Sequence, residues 1–220
     1  RLYITNSGIH NPTGATLSPV VAHRLLQCAE GSNLVIVEDD IFADFETSPA
    51  PRLAAFDGLA RVIHIGSFSK TVSASLRCGY VAARADWIEN LVDLKIATTF
   101  GGGRLAADIV LAALTDSGYR RHMETVRLRL AQHMQKTLAQ LETMGIRPWL
   151  APRAGMFVWC RLPQGKDAAA VSQACLKEGV VLAPGNAFSQ SLSAGDFLRF
   201  NVAQSTDDRV FDVLARVLSA

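Results

Sequence analysis

The chain has 220 residues, 49% of them apolar and 19% charged, enough apolar side chains for one large or two modest folded domains. A formal charge of +2, evenly spread, argues against a nucleic-acid surface on this stretch, and no apolar run approaches the roughly 20 residues that a membrane helix needs. Cys28, Cys78, Cys160 and Cys175 lie far apart in apolar contexts with no CxxC pair, which predicts reduced, buried thiols and a cytoplasmic protein.

In chain order, residues 2–5 read as a strand, followed by the polar loop "NSGIHNPTG". "LSPVVAHRLLQCAEG" reads as a helix with Ser18 as N-cap, Pro19 in its first position and Gly31 past its end. "NLVIVEDD" is an apolar run ending in acids, the pattern of a strand covered on both faces of a parallel sheet; "RVIHIGS" repeats it and "CGYVAA" adds one more strand. Strands alternating with helices predict α/β architecture. From about residue 86 to 143 the period is helical, with breaks at "GGG" (101–103) and "SG" (117–118), and the long helix is expected to link two domains. The remainder reads as strand, helix (167–178), strand (180–183), strand (197–202) and helix (206–219), a smaller α+β unit.

Ligands of open α/β sheets sit beyond the carboxyl ends of the strands. Asn11 follows the first strand, Asp39 ends the second, and Ser67, Ser69 and Lys70 follow the third. The histidines at 10, 23, 64, 122 and 133 lack metal-ligand spacing, so no metal is expected, and His64 within "VIHIG" reads as a sheet residue. Trp149, Phe157 and Trp159 alternate as packing residues of a strand, and "YRRH" (119–122) reads as a solvated helix face.

With "HNPTG", "VEDDIFADF", "GSFSK" and Arg77 seven residues after Lys70, and with "AGMFVWCRLP", "VVLAPGNAFS" and "LRFNVA" downstream, the chain resembles the fold-type I aminotransferases (class I/II), which bind pyridoxal 5′-phosphate. The resemblance implies part of the three-layer α/β/α large domain over residues 1–103, and an interdomain helix and smaller α+β C-terminal domain over 104–220. It implies that Lys70 forms the covalent link to the cofactor and serves as general base, and that Asp39 pairs with the pyridine nitrogen. Asn11 would donate to the phenolic oxygen, Ser67, Ser69 and Arg77 would hold the phosphate, and Arg199 would receive a substrate carboxylate. Relatives usually carry a tyrosine where this chain has Phe42, and often Pro-Gly where it has Ala74-Ser75. The lost hydroxyl predicts slower transamination with cofactor binding retained.

Two functions fit the resemblance. One is a stand-alone transaminase acting on an amino acid and a 2-oxo acid. The other, which the wording of the motifs favours, is the effector-sensing domain of a MocR-type regulator, in which a GntR-like winged helix is fused to an aminotransferase-like module. Both imply a homodimer and an amino-acid or amine ligand, and neither implies a membrane. The opening "RLYITNSG" starts directly in a strand, so the chain is expected to be a C-terminal fragment, with any DNA contact made by a segment upstream of it.

Overall fold

The computed structural model describes residues 1–219. They divide into two compact units: Arg1–His10 with Thr16–Val126, and Asn11–Ala15 with the chain from Arg127 onward.

The first unit is built on the strands β1 (Leu2–Thr5), β2 (Val35–Asp39), β3 (Val62–Ser67) and β4 (Gly79–Ala82), in that spatial order. The first three run parallel. β4 is antiparallel to β3, because the connection 68–78 is a compact turn rather than a crossover helix. Side chains alternate between the two sheet faces. One face carries Ile36 and Val62, which form a core with Ala22 and Ala29 of helix α1 (Pro19–Ser32) and Leu53 of the short helix α2 (Leu53–Asp57). The other carries Leu2, Ile4, Val37, Ile63, Ile65 and Val81 and, at the carboxyl ends of β2 and β3, Asp39 and Ser67. Leu2, Ile4 and Val81 on that face are exposed.

Helix α1 begins as its sequence predicts, with the Ser18 hydroxyl accepting from the Val21 amide. It ends elsewhere: Gly31 lies inside the last turn, and Asn33 takes the left-handed conformation that closes the helix, its N–H returning to the Ala29 carbonyl. The helices α3 (Ala85–Thr99) and α4 (Arg104–Thr115) follow, separated at 100–103, and the 27-residue α5 (Ser117–Thr143) begins after a break at Asp116. The boundary between the units falls within α5.

In the second unit α5 buries Leu130, Met134, Thr137 and Leu141, spaced as one stripe of a helix. The sheet order is β5 (Arg147–Pro148), β6 (Phe157–Arg161), β8 (Phe197–Asn201) and β7 (Ala183–Pro184), antiparallel throughout. Val158, Cys160, Leu198 and Phe200 form a wholly buried face, and helices α6 (Ala168–Lys177) and α7 (Asp208–Ser219) pack on one another. The strand expected at 180–183 is only Ala183–Pro184: the Val180 amide returns to the Cys175 carbonyl at the end of α6 at 3.0 Å, and the Leu182 carbonyl accepts from the Ser172 hydroxyl at 2.7 Å. Three further expectations change. Cys28 is exposed on α1, Trp149 is exposed after β5, and Tyr119 is drawn out of solvent by donating its hydroxyl to Asp44 at 2.9 Å. All four cysteines are free thiols.

Candidate functional site

The residues singled out in the sequence fall into two clusters, one in each unit. In the first, Asp39 and Ser67 are the last residues of two neighbouring parallel strands and share a face, since Asp39 lies opposite Ile65 and Ser67 is two residues further along. Asp39 is held at its backbone. Its carbonyl accepts from the Asn6 side chain at 2.8 Å, and its Oδ1 accepts the Ile41 amide at 3.3 Å, which leaves Oδ2 open. Asn6 was not singled out in the sequence; its position just past β1 was the available signal.

The turn 68–78 brings Arg77 back toward the end of β3. The Ser67 hydroxyl accepts from the Ser69 amide at 3.2 Å, and Arg77, in the left-handed region at φ 49°, places Nη1 3.5 Å from the Ser69 hydroxyl. Lys70 projects into solvent from this turn. Among the described residues neither Lys70 nor Arg77 makes an ion pair. Two uncompensated cations and two hydroxyls on one short turn form an anion-receptive surface.

Behind this edge, on the helix-covered face, lies a buried polar network that the sequence reading did not assemble. Glu38, fully buried, accepts from the Ser7 hydroxyl and from the amides of Leu53 and Ala54 at 2.8 and 2.9 Å. His64 Nδ1 lies 3.6 Å from Glu38, too far for a hydrogen bond but close enough for charge attraction, and its Nε2 lies 3.9 Å from Asp40. Burial pushes the Glu38 carboxyl up, but contact with His64, the Ser7 hydroxyl and the two amides outweighs it and holds the pKa at about 2. The same carboxylate raises the His64 imidazole above its ordinary value, against burial. Burial raises Asp40, although Arg52 pairs with it at 2.6 Å and with Glu46 at 2.6 Å. Asp39 thus projects from a strand end that is anchored on its other side by both sequence neighbours.

In the second unit, Asn11 and Arg199 meet: the guanidinium Nη1 donates to Asn11 Oδ1 at 2.9 Å. This fixes the amide orientation, so that Asn11 Nδ2 remains a donor. Asn11–Pro12 is a cis peptide. Arg199 is half-buried, forms no ion pair among the described residues, and has its guanidinium pKa lowered by burial. A desolvated cation without a counter-ion is costly, and an anionic ligand offsets that cost.

This α/β unit with cationic and acidic residues at its strand ends, joined to a small α+β unit, is the architecture of a fold-type I aminotransferase. Residues 3–217 match the family model for aminotransferase class I and II, and the chain belongs to that family. It is 30% identical over 207 residues to the uncharacterized HTH-type transcriptional regulator YdfD of Bacillus subtilis, covering 92% of this chain and 42% of that protein. It is 34% identical over 153 residues to the HTH-type transcriptional regulator NorG of Staphylococcus aureus, covering 68% and 35%. Among solved structures it resembles the kynurenine aminotransferase of Pyrococcus horikoshii, with a TM-score of 0.90, 25% identity, and coverage of 100% of this chain and 56% of that one. It also resembles LysN, the α-aminoadipate aminotransferase of Thermus thermophilus solved with N-(5′-phosphopyridoxyl)-L-leucine, with a TM-score of 0.84, 29% identity, and coverage of 98% and 58%. The chain thus spans less than half the length of these regulators and a little over half of these enzymes. No helix among the described residues is long and apolar enough to cross a membrane, and no cluster of His, Cys, Asp and Glu among them could hold a metal.

Proposed function

We propose that this chain is the pyridoxal 5′-phosphate-binding, ligand-sensing domain of a MocR/GntR-type transcriptional regulator, and that its ligand is an amino acid or amine. The observation that carries the cofactor assignment is the turn 68–78. It carries Lys70, Arg77 and the Ser69 hydroxyl directly after Ser67, on the strand next to the one that ends in Asp39, with neither cation neutralised by a carboxylate among the described residues. These residues fit the group. Arg77, Ser69 and Ser67 would hold its phosphate, Lys70 would attach to it, and Asp39 would hold a proton on the ring nitrogen. When bound, the cofactor supplies an aldehyde for amine capture and a ring that takes up negative charge. The chain's own contribution is to position and to manage protons: Lys70 Nζ accepts or returns a proton, and Arg199 orients an incoming carboxylate.

The regulator reading is supported by the names of the relatives and by Phe42, which is buried and carries no hydroxyl with which to assist turnover. DNA would be contacted through a helix-turn-helix segment outside these 220 residues, and the exposed apolar side chains on the sheet and on α3 support a homodimeric, larger whole. The second reading, a transaminase, is supported by the structural neighbours and by Arg199, which forms no ion pair among the described residues.

The test is a visible spectrum of the intact protein with pyridoxal 5′-phosphate, before and after borohydride, with Lys70→Ala as control. A visible band that reduction fixes onto Lys70, shown by peptide mapping, is expected; no band in the wild type overturns the cofactor assignment. Amino-acid addition should then change the protein's affinity for DNA without steady release of a 2-oxo acid, whereas steady release would favour the transaminase.

A further inference from the structure

Arg199 lies between the two strands that flank β8. The guanidinium carbon is 4.6 Å from the ring centroid of Phe157 on β6 and 4.7 Å from that of Phe188, in the 3-10 turn Gly185–Phe188 that follows β7. Phe188 is itself held: its ring meets Trp159 edge-on at 5.8 Å and 89°, and Trp159 stacks on Phe197 at 5.2 Å and 10°. The polar contacts of Arg199 are sparse by comparison. Nη1 donates to Asn11, and Nε is buried with no hydrogen-bond partner among the described residues.

One hydrogen bond fixes one nitrogen but leaves the guanidinium plane free to turn. Ring faces attract the delocalised cation and restrict that plane. We propose that Phe188 is a positioning residue that sets the plane of Arg199, so that the site takes a planar carboxylate in preference to a tetrahedral anion. This rests on the reading of Arg199 as the carboxylate receptor. A fixed guanidinium fork pairs with the two coplanar oxygens of a carboxylate; a sulfonate or phosphonate can also present two oxygens to the fork, but its third oxygen keeps a contact as the plane turns, so it depends less on the alignment. Phe157 is part of the buried sheet, but Phe188 is 36% exposed, so it can be changed without emptying a core.

The experiment is an NMR titration of the arginine guanidinium signals in the intact protein, using propionate and ethanesulfonate, monoanions of equal chain length. Wild type, Phe188→Leu, Phe188→Tyr and Arg199→Ala are compared. Losing the ring should weaken propionate binding about tenfold and leave ethanesulfonate within about twofold, while tyrosine, which keeps the ring, stays near wild type. Unchanged propionate binding in Phe188→Leu overturns the proposal, as does an equal loss for both anions, which would mark a merely structural role. If Arg199→Ala binds propionate as wild type does, the receptor reading itself fails and the positioning role falls with it.

Discussion

Arg199 donates Nη1–H to Asn11 Oδ1 at 2.9 Å across 188 positions of sequence. The bond joins a neutral acceptor to a cation that has no carboxylate partner among the described residues, so the charge of Arg199 remains available to a ligand. Replacing Asn11 with Asp would supply an internal counter-ion at the same place. Asn11→Asp is expected to weaken carboxylate binding by about tenfold or more while leaving the melting temperature unchanged or higher, as charge-assisted pairing replaces a neutral contact. A titration with propionate, read beside a melting curve, checks both halves.

The Glu38–His64 pair makes stability depend on pH. Glu38 has a folded-state pKa of about 2 against an ordinary 4.5, so its contribution is present above pH 4.5 and is lost as pH falls from 4.5 toward 2. By linkage this amounts to about 3 kcal/mol. His64 is raised above 6.5, so its contribution is complete below pH 6.5 and is lost as pH rises through its folded value. The pair therefore stabilises most between about pH 4.5 and 6.5. Denaturant unfolding across pH should show this optimum, and Glu38→Gln should flatten its acid limb.

Glu38→Gln should also lower stability at neutral pH by about 2–4 kcal/mol. The carboxylate accepts from Ser7, Leu53 and Ala54, and an amide would turn one of its ends into a donor facing donors. Because Glu38 immediately precedes Asp39, the variant is further expected to bind pyridoxal 5′-phosphate less tightly, measured by fluorescence quenching.

Gly66 on β3 has no room for a side chain: a methyl group there would overlap the ring of Tyr80, its partner on β4. Tyr80 is held between His64 and Phe68, with ring centroids 6.0 and 5.9 Å away. Gly66→Ala should destabilise by about 1–3 kcal/mol, and adding Tyr80→Ala should remove most of that penalty. A double-mutant cycle in urea measures the coupling.

The cysteines should react with a thiol reagent in the order of their exposure. Cys28 is exposed, whereas burial pushes the Cys160 thiol up to about 12 and raises Cys175 as well. Mass spectrometry of a timed alkylation should find Cys28 modified first, with Cys160 protected until the protein unfolds.

Much of the architecture was legible because its causes are local. Ser18 and Pro19 start α1 through bonds made within one turn, Asp167 caps α6 by accepting the Ala170 amide, and the apolar runs at β2 and β3 need only alternate to become strands. Legibility failed where neighbouring groups competed. Asn33 rather than Gly31 closed α1, since asparagine also tolerates the left-handed region, and bonds from α6 to Val180 and Leu182 shortened the strand expected at 180–183.

Asn11, Asp39, Ser67, Ser69 and Lys70 could be singled out from residue type and a place at or after a strand end, whereas Arg77 and Arg199 were singled out by the family resemblance. Which of them touch, and through what, was decided only by tertiary structure. The Asn11–Arg199 bond, the convergence of Ser7, Glu38, Leu53 and His64, and the ring of Phe188 beside Arg199 all join separate segments. Hydrogen-bond periodicity acts over a few residues and leaves a pattern in the chain. Contacts between segments depend on strand register and on where each turn delivers the chain, and no local pattern records them.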